Sequence, residues 1–173
     1  LQPHEAGRAT QLPHAQVVSA ILHPVNASGC TSGLYVARTD LQMHSNSSGG
    51  ERLPFWGLFC KRRLRPGEFI GMYRGDWFPE GGAGPDGTDE KYALSLSYGM
   101  CVSPRGRPNV DPREYPIAMA NEPGVGQEAN AVLHEWTFGR ADIEDIPRHI
   151  KDDLFFGVGL VACREIPAGT EIL

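Results

Sequence analysis

The chain has 173 residues, 40% apolar and 21% charged, with a net charge of -5. That is one domain's worth of sequence with globular rather than disordered composition, and no apolar run approaches the roughly 20 residues that span a bilayer. The acidic balance argues against a sequence-independent grip on nucleic acid, which needs clustered Lys and Arg, and suits a basic partner such as a Lys-rich peptide.

Twenty-one glycines and fourteen prolines predict a turn-rich backbone of short elements, more β than α. Residues 1–13 have no hydrophobic period and read as a lead-in. Strands are predicted over 15–22, 34–37, 58–61, 69–73, 92–96, 100–102, 131–134 and 155–163, each a short apolar run bounded by Gly or Pro. Loop composition fills 44–51, 79–90 and 103–112. The one helical pattern, 142–154, is interrupted by Pro147 and reads as a loop or a single broken turn.

Cys30, Cys60, Cys101 and Cys163 are far apart, and none belongs to a pair with metal-ligand spacing. They are expected to be reduced, buried thiols in a reducing compartment. The sequons at Asn26 and Asn46 are short matches of a kind common by chance and are read as unused. One internal repeat is visible: residues 57–70 match 159–172 at Gly57/Gly159, Leu58/Leu160, Arg62/Arg164, Leu64/Ile166, Gly67/Gly169 and Ile70/Ile172. Each half reads as strand, turn and strand, giving two equivalent hairpins flanking a central site.

The stretch AMANEPGVGQEANA, residues 118–131, sets small residues beside Asn121, Glu122, Glu128 and Asn130. Small residues allow close chain approach, and polar side chains can fix irregular backbone that no sheet ladder satisfies. Taken alone, an Asn before Glu-Pro is also a turn former. At Trp56-Gly57, the glycine lets backbone approach a ligand closely while the indole can cover a flat or cationic group; the alternative is an ordinary packing aromatic. Tyr73, Tyr92 and Tyr98 taken alone read as strand tyrosines that pack a sheet face.

GLFCKRRLRPGEFIGMYRGD, YALSLSYGMCVSP, IAMANEPGVGQEANAVLHEW and GVGLVACREIPAGTEIL, in that order and spacing, resemble the SET domain of protein lysine methyltransferases. Asn121-Glu122-Pro123 stands where that family has Asn-His-Ser, and Phe55 where its first motif glycine falls. The resemblance implies a mostly β SET-domain (β-clip-like) fold of short sheets with a pseudoknot-like crossing and few short helices. It would occupy 34–173 after a lead-in and flanking strand over 1–33. The family places a tyrosine a few residues past the final strand pattern, and because the sequence stops at Leu173 a C-terminally shortened domain is expected.

The resemblance further implies transfer of a methyl group from S-adenosylmethionine to a lysine ε-amine, releasing S-adenosylhomocysteine, with no metal. The substrate would be a Lys-containing protein or peptide such as a histone tail, without direct nucleic-acid or membrane binding, inside the cell and in the nucleus. By the same resemblance the donor would lie between a Trp56-Gly57 turn and the Asn121-Glu122 segment, with Leu58 and Tyr92 also lining it. Tyr73 and Tyr98 would line the lysine channel in the catalytic role. Two further readings use the same features: a noncatalytic SET-like module that binds a peptide or protein, and an unrelated β-rich binding domain.

Overall fold

Short runs of β-branched and aromatic residues between Gly and Pro turns form, in chain order, β1 (Leu34–Thr39), β2 (Phe55–Cys60), β3 (Phe69–Met72), β4 (Asp76–Pro79), β5 (Leu94–Ser95), β6 (Met100–Ser103), a 3-10 turn (Pro116–Met119), β7 (Ala131–Gly139) and β8 (Leu154–Ala162). The computed structural model describes residues 33–39, 55–85, 92–105, 110–124, 126–139 and 154–173. The predicted strand 15–22, the loop 44–51, Cys30 and residues 142–153 of the broken helical pattern lie outside the described residues.

The fold is mostly β, as expected, and is built from three small antiparallel sheets ordered β1-β2, β3-β8-β7 and β4-β6-β5. Several expected boundaries move. The strand predicted at 58–61 begins at Phe55, so Trp56 and Gly57 lie inside β2, paired with Arg38 and Ala37, and do not form a turn. β7 runs for nine residues rather than four, because its whole length pairs with β8 from Ala131↔Ala162 to Gly139↔Leu154. β5 shrinks to Leu94–Ser95. β4 was not foreseen: it carries a charge and ends in Pro79, a residue tolerated there because β4 is an edge strand.

The internal repeat has a physical meaning different from two separate hairpins. Within each unit the two strands do not pair with each other; they pair with strands of the other unit. Phe59 bridges Glu171 while Phe69 pairs with Val161. Cys60 N–H donates to Thr170 O at 3.2 Å and Gly169 N–H to Cys60 O at 2.7 Å; the repeat-equivalent bonds run from Ala162 N–H to Glu68 O at 2.9 Å and from Gly67 N–H to Ala162 O at 2.7 Å. Gly67 and Gly169 turn with φ of 79° and 80°, the left-handed geometry that favours glycine. Leu64 and Ile166, equivalent to each other, exchange backbone hydrogen bonds of 2.9 and 3.0 Å at the centre of this pseudo-twofold arrangement.

The core gathers on the same axis. Leu58, Leu64, Ile166 and Ile172 are essentially fully buried and pack with Leu34, Cys60, Ile70, Ile117, Ala131, Leu160 and Ala162. Each large aliphatic side chain so buried contributes roughly 1.5–3 kcal/mol before conformational entropy is counted. Cys60 and Cys101 are buried free thiols, as expected, whereas Cys163 is exposed at the end of β8, where the chain leaves the sheet.

Candidate functional site

The 118–131 stretch and the last three residues make a crossing. Ile172 N–H donates to Leu58 O on β2 at 2.7 Å, while Asn130 N–H and Ala131 N–H donate to Leu173 O at 2.9 and 3.0 Å. Asn130 is only 5% exposed; its Nδ2 donates to Glu171 O at 2.7 Å and its Oδ1 accepts from Leu173 N–H at 2.9 Å. A single amide thus satisfies irregular backbone on both sides of Ile172, the task the small-and-polar composition predicts.

Asn121 sits at the edge of this crossing. Its Nδ2 donates to Trp56 O at 3.0 Å and to Glu171 Oε1 at 2.9 Å. Only an amide nitrogen can serve two acceptors, so both its hydrogens are used and Oδ1 remains the available acceptor. The segments singled out as a donor site, around Trp56 and Asn121, are in direct contact. Their faces differ, however. Successive strand residues point to opposite sides, so the Trp56 indole and the open position at Gly57 cannot serve one surface. The exposed Trp56 ring lies on one side with the Arg38 guanidinium 5.8 Å from its centroid.

On the other side the space above Gly57 is taken by Glu171. A Cβ built at Gly57 would stand 2.3 Å from Glu171 Oε1. The Glu171 carboxylate also accepts from Thr39 Oγ1 at 2.6 Å, so it ties β1, β2 and the Asn121 segment together. Neither Glu171 nor Thr39 was singled out from the sequence. A signal existed: Glu171 is the repeat equivalent of the buried Phe69, an acid where the matching unit has a core aromatic. Glu122 is exposed on the surface beyond Asn121, and Leu58 is wholly buried, its side chain committed to the core and its carbonyl to Ile172.

The tyrosines form a second group. Tyr73 follows β3, is anchored by its N–H to Val158 O at 2.8 Å, and packs against all three described core clusters. Its hydroxyl donates in a short bond to Tyr92 O. Burial, with a smaller contribution from Tyr92, pushes its pKa well above the usual phenol value, so it stays neutral. Tyr92 packs, as Tyr73 does, on the cluster of Val110 with Ala118 and Met119 of the 3-10 turn.

Tyr98 shares with Tyr73 the cluster of Leu96, Val102 and Val158. Its ring stacks on Trp77 at a centroid distance of 6.5 Å and meets Phe156, tilted, at 4.8 Å. Its hydroxyl is buried without a hydrogen-bond partner among the described residues, and burial together with the charge of Glu135 pushes its pKa up to about 12. Tyr73 and Tyr98 therefore border one apolar cluster, apart from the Asn121–Glu171 group but linked to it through the core, where Tyr73 and Ala120 pack on the same residues.

No protein-family model matches the sequence, and no curated protein matches it. Among solved structures, the methyltransferase domain of human PR domain-containing protein 2 matches over 100% of this chain and 92% of that chain, with 15% identity and a TM-score of 0.44. That likeness is too distant to assign a residue or an activity to this chain.

Proposed function

We propose that the chain is a SET-type protein lysine methyltransferase that takes its methyl group from S-adenosylmethionine. The observation that carries the reading is the contact between two motif segments far apart in sequence: Asn121 Nδ2 bonded to the Trp56 carbonyl, 65 positions away. The arrangement fits the amino-acid end of such a donor, because Asn121 Oδ1 and the rim of β2 present acceptors to a cationic group. When bound, the donor supplies an electrophilic methyl on a sulfonium.

The chain's own residues supply position and dielectric. Tyr73, Tyr98 and the apolar cluster they border would desolvate a lysine side chain, favouring the neutral amine over an ammonium whose ordinary pKa is about 10.4. A histone tail is the proposed substrate class, consistent with the net charge of -5. The test is calorimetry with S-adenosylhomocysteine, followed by methyl transfer from S-adenosylmethionine to a mixture of histone-tail peptides. Absence of both binding heat and transfer rejects the reading.

A second reading, a noncatalytic SET-like binding module, draws support from the same tyrosines. The Tyr73 hydroxyl is engaged with Tyr92 O, and the Tyr98 hydroxyl is buried without a partner among the described residues. Donor bound tightly with no transfer to any peptide would favour it.

A further inference from the structure

We propose that Glu171 is the residue that selects for the α-ammonium of the donor's amino-acid end, an assignment that rests on the methyltransferase reading. Three observations converge on it. The carboxylate is partly buried, with its Oε1 in the space that any side chain at position 57 would fill. It accepts one hydrogen bond at each oxygen, from Thr39 Oγ1 and Asn121 Nδ2, which fixes its orientation while leaving lone pairs on both oxygens. Among the described residues it has no ion-pair partner, although Arg62, Arg63, Arg105 and Arg164 each have one.

A carboxylate held rigid by two neutral donors, beside the available Oδ1 of Asn121 and the edge carbonyl of Trp56, is an all-acceptor constellation. It matches an ammonium with three donors. The residue types also explain why position 57 is glycine: the open volume houses the recognition group itself.

The experiment compares the unaltered chain with Glu171→Gln by calorimetry against two ligands, S-adenosylhomocysteine and 5′-methylthioadenosine. The second keeps the adenosine and thioether but lacks the amino-acid end, ammonium and carboxylate together; loss of a carboxylate contact alone would not make Glu171→Gln weaken S-adenosylhomocysteine, since removing the Glu171 charge would relieve an anion. Glutamine preserves size and one acceptor oxygen while removing the charge. The expected result is that Glu171→Gln weakens S-adenosylhomocysteine about tenfold or more and changes 5′-methylthioadenosine by less than about twofold. Equal loss for both ligands, accompanied by a lower melting temperature, would make Glu171 a structural tie and overturn the assignment. So would unchanged S-adenosylhomocysteine affinity in the variant, with Glu171→Asp measured alongside as the charge-keeping control. If the unaltered chain binds neither ligand, the donor reading itself fails and the assignment with it. If it binds both equally, only the role of Glu171 is lost.

Discussion

The carboxylate of Glu171 lies where a side chain on Gly57 would have to go, its Oε1 2.3 Å from the position of that missing Cβ. Gly57→Ala should therefore displace the carboxylate and break its bonds to Thr39 and Asn121, at a cost of about 1–2 kcal/mol. The obstructing atom is the end of a flexible side chain, so the strand itself can remain. In a Glu171→Ala background most of that cost should vanish. Denaturant unfolding of the four chains in a double-mutant cycle checks this; equal costs in both backgrounds would show no coupling.

Gly159 presents the opposite case. A Cβ there would meet Gly71 O at 2.5 Å and the Met72 Cα at 3.2 Å, both backbone atoms of the paired β3 strand. Backbone cannot swing aside, so Gly159→Ala should cost about 3 kcal/mol or more through loss of β3–β8 pairing. A loss smaller than that of Gly57→Ala, measured by the same unfolding assay, would contradict this account.

Asn130→Asp keeps the acceptor for Leu173 N–H but removes the donor to Glu171 O, and sets an anion against that carbonyl. Stability at neutral pH should fall by about 2–3 kcal/mol, since the carbonyl loses its partner at a site that is 5% exposed. Part of the loss should return on acidification, when a protonated Asp can donate again. A thermal melting temperature that does not rise relative to the parent as pH falls would refute the donor role.

Glu68 gives a pH signature of its own. Burial alone would raise its pKa, but the hydrogen bond and charge of Arg62 and the Arg65 N–H outweigh that and hold it below the ordinary value of 4.5. The paired oxygens lie 2.5 Å from Arg62 Nη2 and 2.9 Å from Arg65 N. A depressed folded-state pKa means that the contribution is present above 4.5 and is lost as pH falls through the lower, folded value. Because Arg62 is largely exposed, the size should be only about 0.2–1 kcal/mol. Glu68→Gln should flatten this part of the stability curve below pH 4.5 and leave the order of the variants unchanged above it; parallel curves through the acid range would disprove it.

Tyr98→Phe removes a buried hydroxyl that has no partner among the described residues. Stability should stay level or rise by up to about 1 kcal/mol, because desolvation of the hydroxyl is not repaid in the folded state. The ring stack with Trp77 and Phe156 is retained by phenylalanine. A drop in melting temperature would reveal a hydrogen bond that the folded geometry does not contain.

Much of the β architecture was readable from the chain because its strands are short apolar runs cut by Gly and Pro, as in Phe69–Met72 and Leu154–Ala162. β4 was not, since Asp76 and Pro79 dilute its pattern and an edge strand needs neither full burial nor every N–H. The repeat was legible as equal spacing, but spacing does not say whether strands pair within a unit or between units; that depends on burial of Leu64 and Ile166 at a common centre. Asn121 stood out by residue type. Glu171 did not, because a single acid near a Gly-Thr turn looks like surface until its side chain is traced back over Gly57.

The exchange of strands between the two repeat units also fixes when the molecule can assemble. Neither unit closes by itself, and the Thr39–Glu171 bond joins positions 132 apart. During synthesis the apolar faces of Leu58 and Leu64 must wait for Ile166 and Ile172 to leave the ribosome. Such late, non-local closure slows folding and keeps sticky strands uncovered in the nascent chain. The architecture that gathers distant segments around Glu171 thus leaves the faces of Leu58 and Leu64 uncovered until residues 166–172 have been made.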